Sequence, residues 1–296
     1  MKSLTNTGRK SARVSHVPRV SVLTPIYNTN PTHLREMIDS ILSQTFTDFE
    51  FLILNDSPDN TEIEKIVLEY AAHDKRVKYS KNDKNMGITP SRNKLLKMAR
   101  GEYLAIFDHD DISVPDRLAR EVEYLDTHPH VGVVSGWLQN FGDVATVRHV
   151  PEFDMDIKIA MTENSAVWHT AAMIRKSVLT NNNIEYEESL SPCEDYRLWA
   201  RLMDKTAFHN IQDILVKYRM FGKQTSVKQA QRMHYLHHAI RLDIINRFSA
   251  YRDAAVKAGI TGTRFRLRLF GIPLIKIKRN TVYLFEFIPL FKIKWR

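Results

Sequence analysis

Three groups of charged residues have the types and the spacing that enzymes use for chemistry. The first is Asp108-His109-Asp110-Asp111, in which three carboxylates within four residues repel one another unless a cation neutralises them. Such a cluster can hold Mg²⁺ or Mn²⁺ with few protein ligands and leave coordination sites for a diphosphate. The alternative is a solvated acidic turn that caps a helix beginning near Pro115.

The other two groups are an acidic pair and a basic side chain. Glu194-Asp195 stands at the start of a predicted helix, where one carboxylate can act as a general base. The helix dipole alone also favours carboxylates at that position. Arg92, with Lys84 and Asn85 nearby, lies at another helix start, where basic groups bind phosphate. An arginine exposed on the helix surface is the alternative.

The elements that position these groups alternate between strand and helix. Apolar runs predict strands over residues 20–24, 49–54, 77–79 and 103–107. A stripe of Leu34, Met37, Ile38, Ile41 and Leu42 predicts an amphipathic helix. Helices are also predicted near residues 63–70 and after Thr89-Pro90, as N-cap and first helical residue. This alternation predicts an α/β fold with a parallel sheet covered on both faces.

Polar residues follow three of these predicted strands. They are Pro25-Ile26-Tyr27-Asn28, Asn55-Asp56 and the acidic cluster at 108–111. Ligands of such sheets bind beyond the carboxyl ends of the strands, so we expect the three groups to face one crevice.

The second half of the chain has a weaker pattern. Apolar spacing predicts a strand over 131–135 and helices over 194–203 and 233–248. Residues 272–278 recur with substitutions at 288–294, an offset of 16 residues. Alternating apolar and basic residues in both copies predict two short strands.

Composition excludes several classes of protein. The chain has 296 residues, 43% of them apolar and 26% charged, which excludes a disordered chain, a collagen and a disulfide scaffold. The single cysteine, Cys193, favours a reducing compartment. The chain contains no run of 18 apolar residues, so no membrane-spanning helix is predicted. The polar, basic start does not resemble a signal peptide.

The net charge of +9 is concentrated at the two ends. Residues 1–19 carry +5 and residues 264–296 carry +8, so the part between them carries −4. A nucleic-acid-binding protein that uses its basic ends is one hypothesis. The acidic body favours the other, a globular domain whose basic, apolar tail at 264–296 binds an anionic membrane surface.

Other catalytic patterns are absent or weak. The chain contains no phosphate-binding loop of the G-x-x-x-x-G-K-[ST] or G-x-G-x-x-G type and no H-E-x-x-H motif. Phosphatases of the haloacid dehalogenase type also use two aspartates two residues apart. They carry them after the first strand, whereas here the cluster follows the fourth. His234 and His238 have a metal-binding spacing, but a polar helix face explains them better.

Taken together, five segments resemble family 2 glycosyltransferases, which have the GT-A fold. The resemblance covers roughly residues 18–226. Each motif is weak alone, and the signal is that all five occur in this order at matching spacing. The segments are Val20 to Asn28, Leu54-Asn55-Asp56-Ser57, Asn85 to Asn93, Phe107 to Asp111, and Cys193-Glu194-Asp195-Tyr196-Arg197-Leu198-Trp199.

The resemblance implies an inverting, metal-assisted transferase that takes a UDP-sugar. In such an enzyme Asp195 is the general base, supported by Glu194, and Asp110 binds Mn²⁺ or Mg²⁺. His169 and Trp168 line the pocket for acceptor and sugar. The donor-binding residues implied are Pro25, Tyr27, Asn28, Asp56, Asn85, Arg92, Asp108 and Asp110.

One position departs from the family pattern. Many relatives carry a histidine in a segment like Tyr-Arg-x-His, which can complete the metal site. Here Tyr218-Arg219-Met220 is followed by Phe221. The metal site would then depend on Asp110, the diphosphate and water, or the protein is an inactive module that binds sugar nucleotides.

The tail resembles the basic C-terminal repeats of some bacterial transferases that build lipopolysaccharide or capsule. This resemblance implies a glycan or glycolipid acceptor and a cytoplasmic protein held at the inner face of the membrane. We expect four parts: a basic segment at 1–19, the GT-A domain at 20–226, a helical segment at 227–263 and the amphipathic tail at 264–296.

Overall fold

A computed structural model describes residues 16–221 and 229–257, and the backbone of four strands between residues 263 and 292. The predicted basic segment therefore lies outside the described residues as far as residue 15. The same holds for residues 293 and 294 of the second copy of the tail repeat.

The first half of the chain is a regular succession of strands and helices, as predicted. Its strands pair side by side and all parallel, in the order β3-β2-β1-β4. The elements are β1 Val20–Ile26, α1 Pro31–Leu42, β2 Phe49–Asn55, α2 Thr61–His73, β3 Val77–Lys81, α3 Ile88–Met98 and β4 Tyr103–Ile106.

The local sequence explains these elements. Every residue of β1 and β2 is buried, as expected for strands covered on both faces. In α1 the predicted apolar stripe is buried, except that Leu42 is only partly so. The Asn30 side chain caps α1 by accepting from the backbone N–H of Thr32 at 2.9 Å and of His33 at 3.3 Å.

Helix α3 begins earlier than predicted. Its N-cap is Gly87, with φ of 90°, and the helix starts at Ile88, so Thr89 lies inside it and is not the cap. A left-handed φ is easy for glycine, which has no Cβ. The Gly87 N–H donates to the Asp56 carboxylate at 2.8 Å, and this long-range bond fixes the helix start.

The second half continues the same sheet with mixed strand directions. Beyond β4 the order is β8-β6-β9-β5, with β7 beside β6; β8 is antiparallel to β4 and to β6, whereas β9 is parallel to β6. The elements are β5 Ile112–Ser113, α4 Arg117–Thr127, β6 Val131–Gly142, β7 Val147–Arg148, α5 Asp154–Ala160, β8 Met173–Arg175, α6 Lys176–Asn181, α7 Glu194–Leu202 and β9 Ala207–Met220.

Two hydrophobic cores cover the two faces of this sheet. One contains the buried stripes of α1, α2 and α4. The other contains α7, whose Trp199 is completely buried, together with Leu95 of α3. The predicted α/β fold is therefore confirmed. The strands from the first half of the chain are all parallel, and those from the second half run in mixed directions.

Two helices follow β9 in the chain. They are α8 Ala230–Arg247 and α9 Ser249–Lys257. Leu236, Ile240 and Ile244 of α8 are buried in the core that contains α7. An ion pair of 2.6 Å between Arg197 of α7 and Asp243 of α8 adds to this packing. Among the described helices, none is both long and apolar enough to cross a membrane.

The described residues of the tail form a second, antiparallel sheet of four strands, twice the number predicted. Both halves of the repeat form strands, and each is preceded by another one. The strands are β10 Thr263–Leu269, β11 Ile272–Lys278, β12 Thr281–Leu284 and β13 Ile288–Lys292, paired in that order.

Candidate active site

The polar groups that follow β1, β2 and β4 meet at one edge of the sheet, as predicted. Asn28 donates its backbone N–H to the Ser57 hydroxyl at 3.1 Å, which joins the ends of β1 and β2. Thr29 and the His109 ring lie 3.1 Å apart and join β1 to the acidic cluster. Asn28 itself has a left-handed φ of 44°, a conformation in which asparagine is enriched.

Asp56 holds together the end of β2 and the loop before α3. Its buried carboxylate accepts hydrogen bonds from the backbone N–H groups of Met86 and Gly87, each at 2.8 Å, and from the Asn82 amide at 2.7 Å. Asn85, which is exposed, accepts from the Gly87 N–H at 2.9 Å. The loop before α3 is thus held against the end of β2, with Pro25 buried and Tyr27 half exposed beside it.

The three aspartates after β4 have three different environments. Asp108 forms an ion pair with Arg92 at 3.0 Å. Asp111 is fully buried and accepts from the Thr170 hydroxyl at 2.8 Å and the Arg219 N–H at 2.9 Å; burial and the charges of Asp110 and Asp108 raise its pKa well above the usual range. A fully solvated turn is therefore wrong for this cluster.

Asp110 is the aspartate best placed to hold a cation. Its side chain is partly buried, unlike the fully buried Asp111, and this burial raises its pKa. Carboxylate oxygens are the ligands that Mg²⁺ and Mn²⁺ prefer. The described residues contain no group of three or more potential metal ligands, so the chain would supply few of them.

Arg92 connects the aspartates after β4 to the acidic pair at the start of α7. Its side chain is 11% exposed and lies 2.5 Å from the Glu194 carboxylate, in addition to its pair with Asp108. Burial acts to lower the pKa of Arg92, but the two carboxylates outweigh it and the pKa is raised. The alternative of an arginine on the exposed helix surface is wrong.

The two carboxylates at the start of α7 are in different states. Glu194 is buried and forms an ion pair with Arg92. Asp195 is only partly buried, and one oxygen accepts the Tyr196 N–H at 2.7 Å. Burial and the negative charge of Glu194 raise the pKa of Asp195 to about 6. An aspartate with this pKa is ionised near neutral pH and is still basic enough to accept a proton.

One of the two predicted pocket residues, His169, packs against α7. His169 is buried, with its Nε2 2.8 Å from the Tyr186 hydroxyl and its ring 5.9 Å from that of Trp199. Burial and the charge of Arg92 lower the pKa of His169 well below its usual range, so this ring is neutral. Trp168 is partly buried beside it.

Phe221 occupies a position beside α1, where its ring lies 6.3 Å from that of His33. The preceding Arg219 donates through Nε to the Asp110 backbone carbonyl at 2.8 Å and pairs with Glu36 at 2.5 Å. The end of β9 therefore reaches the acidic cluster, although Phe221, which follows β9, has no side-chain atom that can bind a metal. His234 and His238, the pair of histidines with a metal-binding spacing, are exposed on α8.

Tyr186 is a site residue that the sequence analysis missed. The Arg92 guanidinium lies 5.8 Å from the centre of its ring. Its backbone is held by the Asn93 side chain, which donates to the Tyr186 carbonyl and accepts from its N–H, both at 2.9 Å. Asn93, directly after Arg92, was the available signal, but the sequence does not say which backbone it binds.

Comparison with known proteins agrees with this geometry. The sequence model described as glycosyl transferase family 2 matches residues 21–182. An uncharacterized glycosyltransferase of Methanocaldococcus jannaschii is 33% identical over 210 residues, which are 69% of this chain and 71% of the relative. The chain belongs to glycosyl transferase family 2.

Solved structures show that this family 2 chain has the GT-A fold. S. aureus TarS, residues 1–349, in complex with UDP-GlcNAc, has a TM-score of 0.62 at 23% identity, over 77% of this chain and 67% of TarS. The mannosyltransferase PcManGT of Pyrobaculum calidifontis, in complex with GDP-Man and Mn²⁺, has a TM-score of 0.60 at 16% identity, over 83% and 76%. The predicted family and fold are both confirmed.

Proposed function

We propose that this glycosyltransferase moves a sugar from a UDP-sugar to a hydroxyl group of a glycan acceptor, with inversion at the anomeric carbon. The observation that carries the proposal is the acidic pair at the start of α7. Arg92 forms an ion pair with Glu194, whereas Asp195 has no such partner among the described residues and has a pKa of about 6. The binding of UDP-GlcNAc by TarS and of GDP-Man by PcManGT supports a nucleotide-sugar donor.

In the proposed reaction, Asp195 accepts the proton of the acceptor hydroxyl as its oxygen attacks the anomeric carbon. The bond from that carbon to the diphosphate oxygen breaks, and the nucleoside diphosphate leaves with the electron pair. A general base of this kind contributes about 10²–10⁴ in rate. A single base and a single displacement give inversion.

The donor side of the proposed site is built from the ends of β1 and β2 and the loop before α3. Pro25, Tyr27, Asn28 and Asn85 border the place for the nucleoside, and Asp56 holds the loop that closes it. The charge of Arg92 is shared between Glu194 and Asp108. These contacts favour a positioning role for Arg92 over direct binding of phosphate.

Asp110, with Asp108 next to it, would hold the divalent cation. A bound Mn²⁺ or Mg²⁺ would neutralise charge on the diphosphate. The chain's own contribution is the excess of carboxylates at this edge, where Asp108, Asp110 and Asp111 follow one another directly after β4. Burial, followed by the charges of neighbouring aspartates, raises the pKa values of Asp110 and Asp111.

A panel of UDP-sugars, scored for release of UDP with and without Mn²⁺, tests the proposal. We expect metal-dependent release from at least one donor, and a loss of about 10²-fold or more in Asp195→Asn. Asp110→Asn should raise the Mn²⁺ concentration needed. Asp253→Asn, an exposed aspartate of α9, is the matched control. Full activity of the first two variants would remove the mechanism.

Phe221 favours a second candidate function, that of an inactive module which binds sugar nucleotides. The residue stands where many relatives have a histidine, and the described residues offer no complete metal cluster. Calorimetry with UDP and Mn²⁺ beside the transfer assay separates the two functions. Binding without transfer to any acceptor, from any donor of the panel, would support the module.

We further propose that the tail sheet holds the protein at the inner, cytoplasmic face of a bacterial membrane, close to a glycolipid acceptor. The strand register supports this, because it places apolar residues opposite apolar residues and basic residues opposite basic residues in neighbouring rows. One cross-strand row contains Phe265, Ile277, Val282 and Phe291, and the neighbouring row on β10 and β11 pairs Arg266 with Lys276. Basic residues contribute about 1 kcal/mol each near anionic lipid.

Sedimentation with vesicles tests the role of the tail. The full chain should bind vesicles that contain phosphatidylglycerol and bind phosphatidylcholine vesicles far more weakly. A variant with Arg264, Arg266 and Arg268 changed to glutamine should lose most of that difference. Equal binding of both proteins to both vesicles would contradict the proposal.

A further inference from the structure

An arginine that has no carboxylate partner among the described residues lies at the border of the site. Arg148 is on β7, and its guanidinium is 5.5 Å from the centre of the Trp168 ring and 5.0 Å from that of Tyr218. Its Nη2 is 3.3 Å from the Met220 sulfur. Two aromatic faces thus fix the plane of a cation, as is common for arginine.

The charge of this cation is not neutralised by its neighbours. Within the described part of the chain, no carboxylate lies at ion-pair distance from Arg148. Arg92, in contrast, pairs with two carboxylates, and Arg219 pairs with Glu36. A partly buried guanidinium next to aromatic rings gains free energy by binding an anion with two parallel hydrogen bonds.

The two rings connect Arg148 to the acidic edge. Trp168 comes directly before the turn whose Thr170 binds the Asp111 carboxylate. Tyr218 comes directly before Arg219, whose N–H binds the same carboxylate. Burial, followed by the charges of Asp111, Asp108 and Asp110, raises the pKa of Tyr218.

The position in the sheet separates Arg148 from the donor side. Asp56 follows β2, and the loop that it holds precedes α3, whereas β7 pairs with β6, two strands beyond β4 in the sheet order. The aspartates after β4 lie between these two sides. An anion at Arg148 would therefore belong to the molecule that enters opposite the nucleoside.

We propose that Arg148 binds an anionic group, a phosphate or a carboxylate, of the sugar acceptor. This rests on the proposed function, because it takes the aspartates as the boundary between donor and acceptor. The chemistry is that of a planar guanidinium which donates two hydrogen bonds to two oxygens of the anion. The acceptor would accordingly be a phosphorylated or acidic saccharide.

Calorimetric titration of the full chain with three small probes tests this proposal. The probes are glycerol 3-phosphate, glucuronate and, as the neutral comparison, glucose. Arg148→Gln removes the charge and the paired donors. Arg252→Gln, an exposed arginine of α9, removes the same charge elsewhere and is the control.

We expect at least one anionic probe to bind more tightly than glucose. Its affinity should fall roughly tenfold to a hundredfold in Arg148→Gln, and remain at the unmodified chain's value in Arg252→Gln. The probe that binds tells phosphate from carboxylate. Failure of both anions to bind more tightly than glucose, or equal affinities in both variants, would overturn the proposal.

A competition on the unmodified protein distinguishes acceptor from donor. If Arg148 serves the acceptor, saturating UDP with Mn²⁺ leaves the anionic probe bound. Displacement of the probe by UDP would place Arg148 at the donor diphosphate and refute the proposal. Failure of the proposed function would appear differently, as the absence of UDP binding and of UDP release. The probe titration measures neither of these, so the two failures can be distinguished.

Discussion

Replacement of Glu194 by glutamine should lower the pKa of Asp195 and make the enzyme active in more acidic solution. Burial and, second, the negative charge of Glu194 raise the pKa of Asp195 from 3.8 to about 6. Burial is unchanged in Glu194→Gln, so only part of the rise is lost, about one unit. Arg92 also loses a partner at 2.5 Å, and its freed positive charge acts in the same direction.

The sign of the pH effect follows from the role of the base. Asp195 accepts a proton only when ionised, so kcat/KM falls as the pH drops through its pKa. The midpoint of this acid limb should move from about pH 6 to about one unit lower in Glu194→Gln. The assay is UDP release between about pH 4 and 8, an interval chosen to bracket both midpoints.

Glu187→Gln provides the matched control for this shift. Glu187 pairs with Arg197 at 3.0 Å, in the segment that leads into α7, and its loss changes the net charge by the same amount. Its acid limb should stay at that of the unmodified enzyme. A midpoint in Glu194→Gln that is unchanged or higher would refute the assignment of Asp195 as the base.

Three further variants test the framework around the site, each by denaturant unfolding. Asn93→Ala breaks both hydrogen bonds to the Tyr186 backbone and should lower the free energy of unfolding by about 2 kcal/mol, with a loss of activity. Arg117→Met leaves Glu121 buried and unpaired and should cost about 3–5 kcal/mol, whereas adding Glu121→Leu should recover much of that loss. Gly101→Ala should destabilise the protein by about 1–3 kcal/mol, since its Cβ would lie 2.6 Å from a backbone nitrogen of β1; equal stability would contradict this crowding.

The first half of the fold could be predicted because its signals are local. The stripe of α1 and the apolar run of β2 each lie within about a dozen residues, and both elements are covered as the pattern requires. Of the two long strands, only the first part of β6, residues 131–135, was predicted, and β9 was not. Their pairing shifts register between Val131 and Val133 and again near Trp137, and such irregular pairing leaves no simple period in either strand.

The site could be predicted only as a set of neighbouring groups. The convergence at one edge follows from strand order, so Asp56 and the cluster at 108–111 could be brought together from sequence. The separate environments of Asp108 and Asp111 depend on Arg92 and Thr170, which approach from other parts of the chain. Both partners are distant in sequence from the aspartates, so the residue pattern around the aspartates does not indicate them.

The ion pair between α7 and α8 has a consequence for anyone who prepares fragments of this protein. The segment recognised by the family model stops at residue 182, before the helix that bears Asp195. A fragment that ends at residue 226 would keep Asp195 but lose Asp243 and the apolar residues of α8 that belong to the same core as Trp199. The smallest piece worth expressing therefore extends at least to Arg247, well past the limit that sequence comparison suggests.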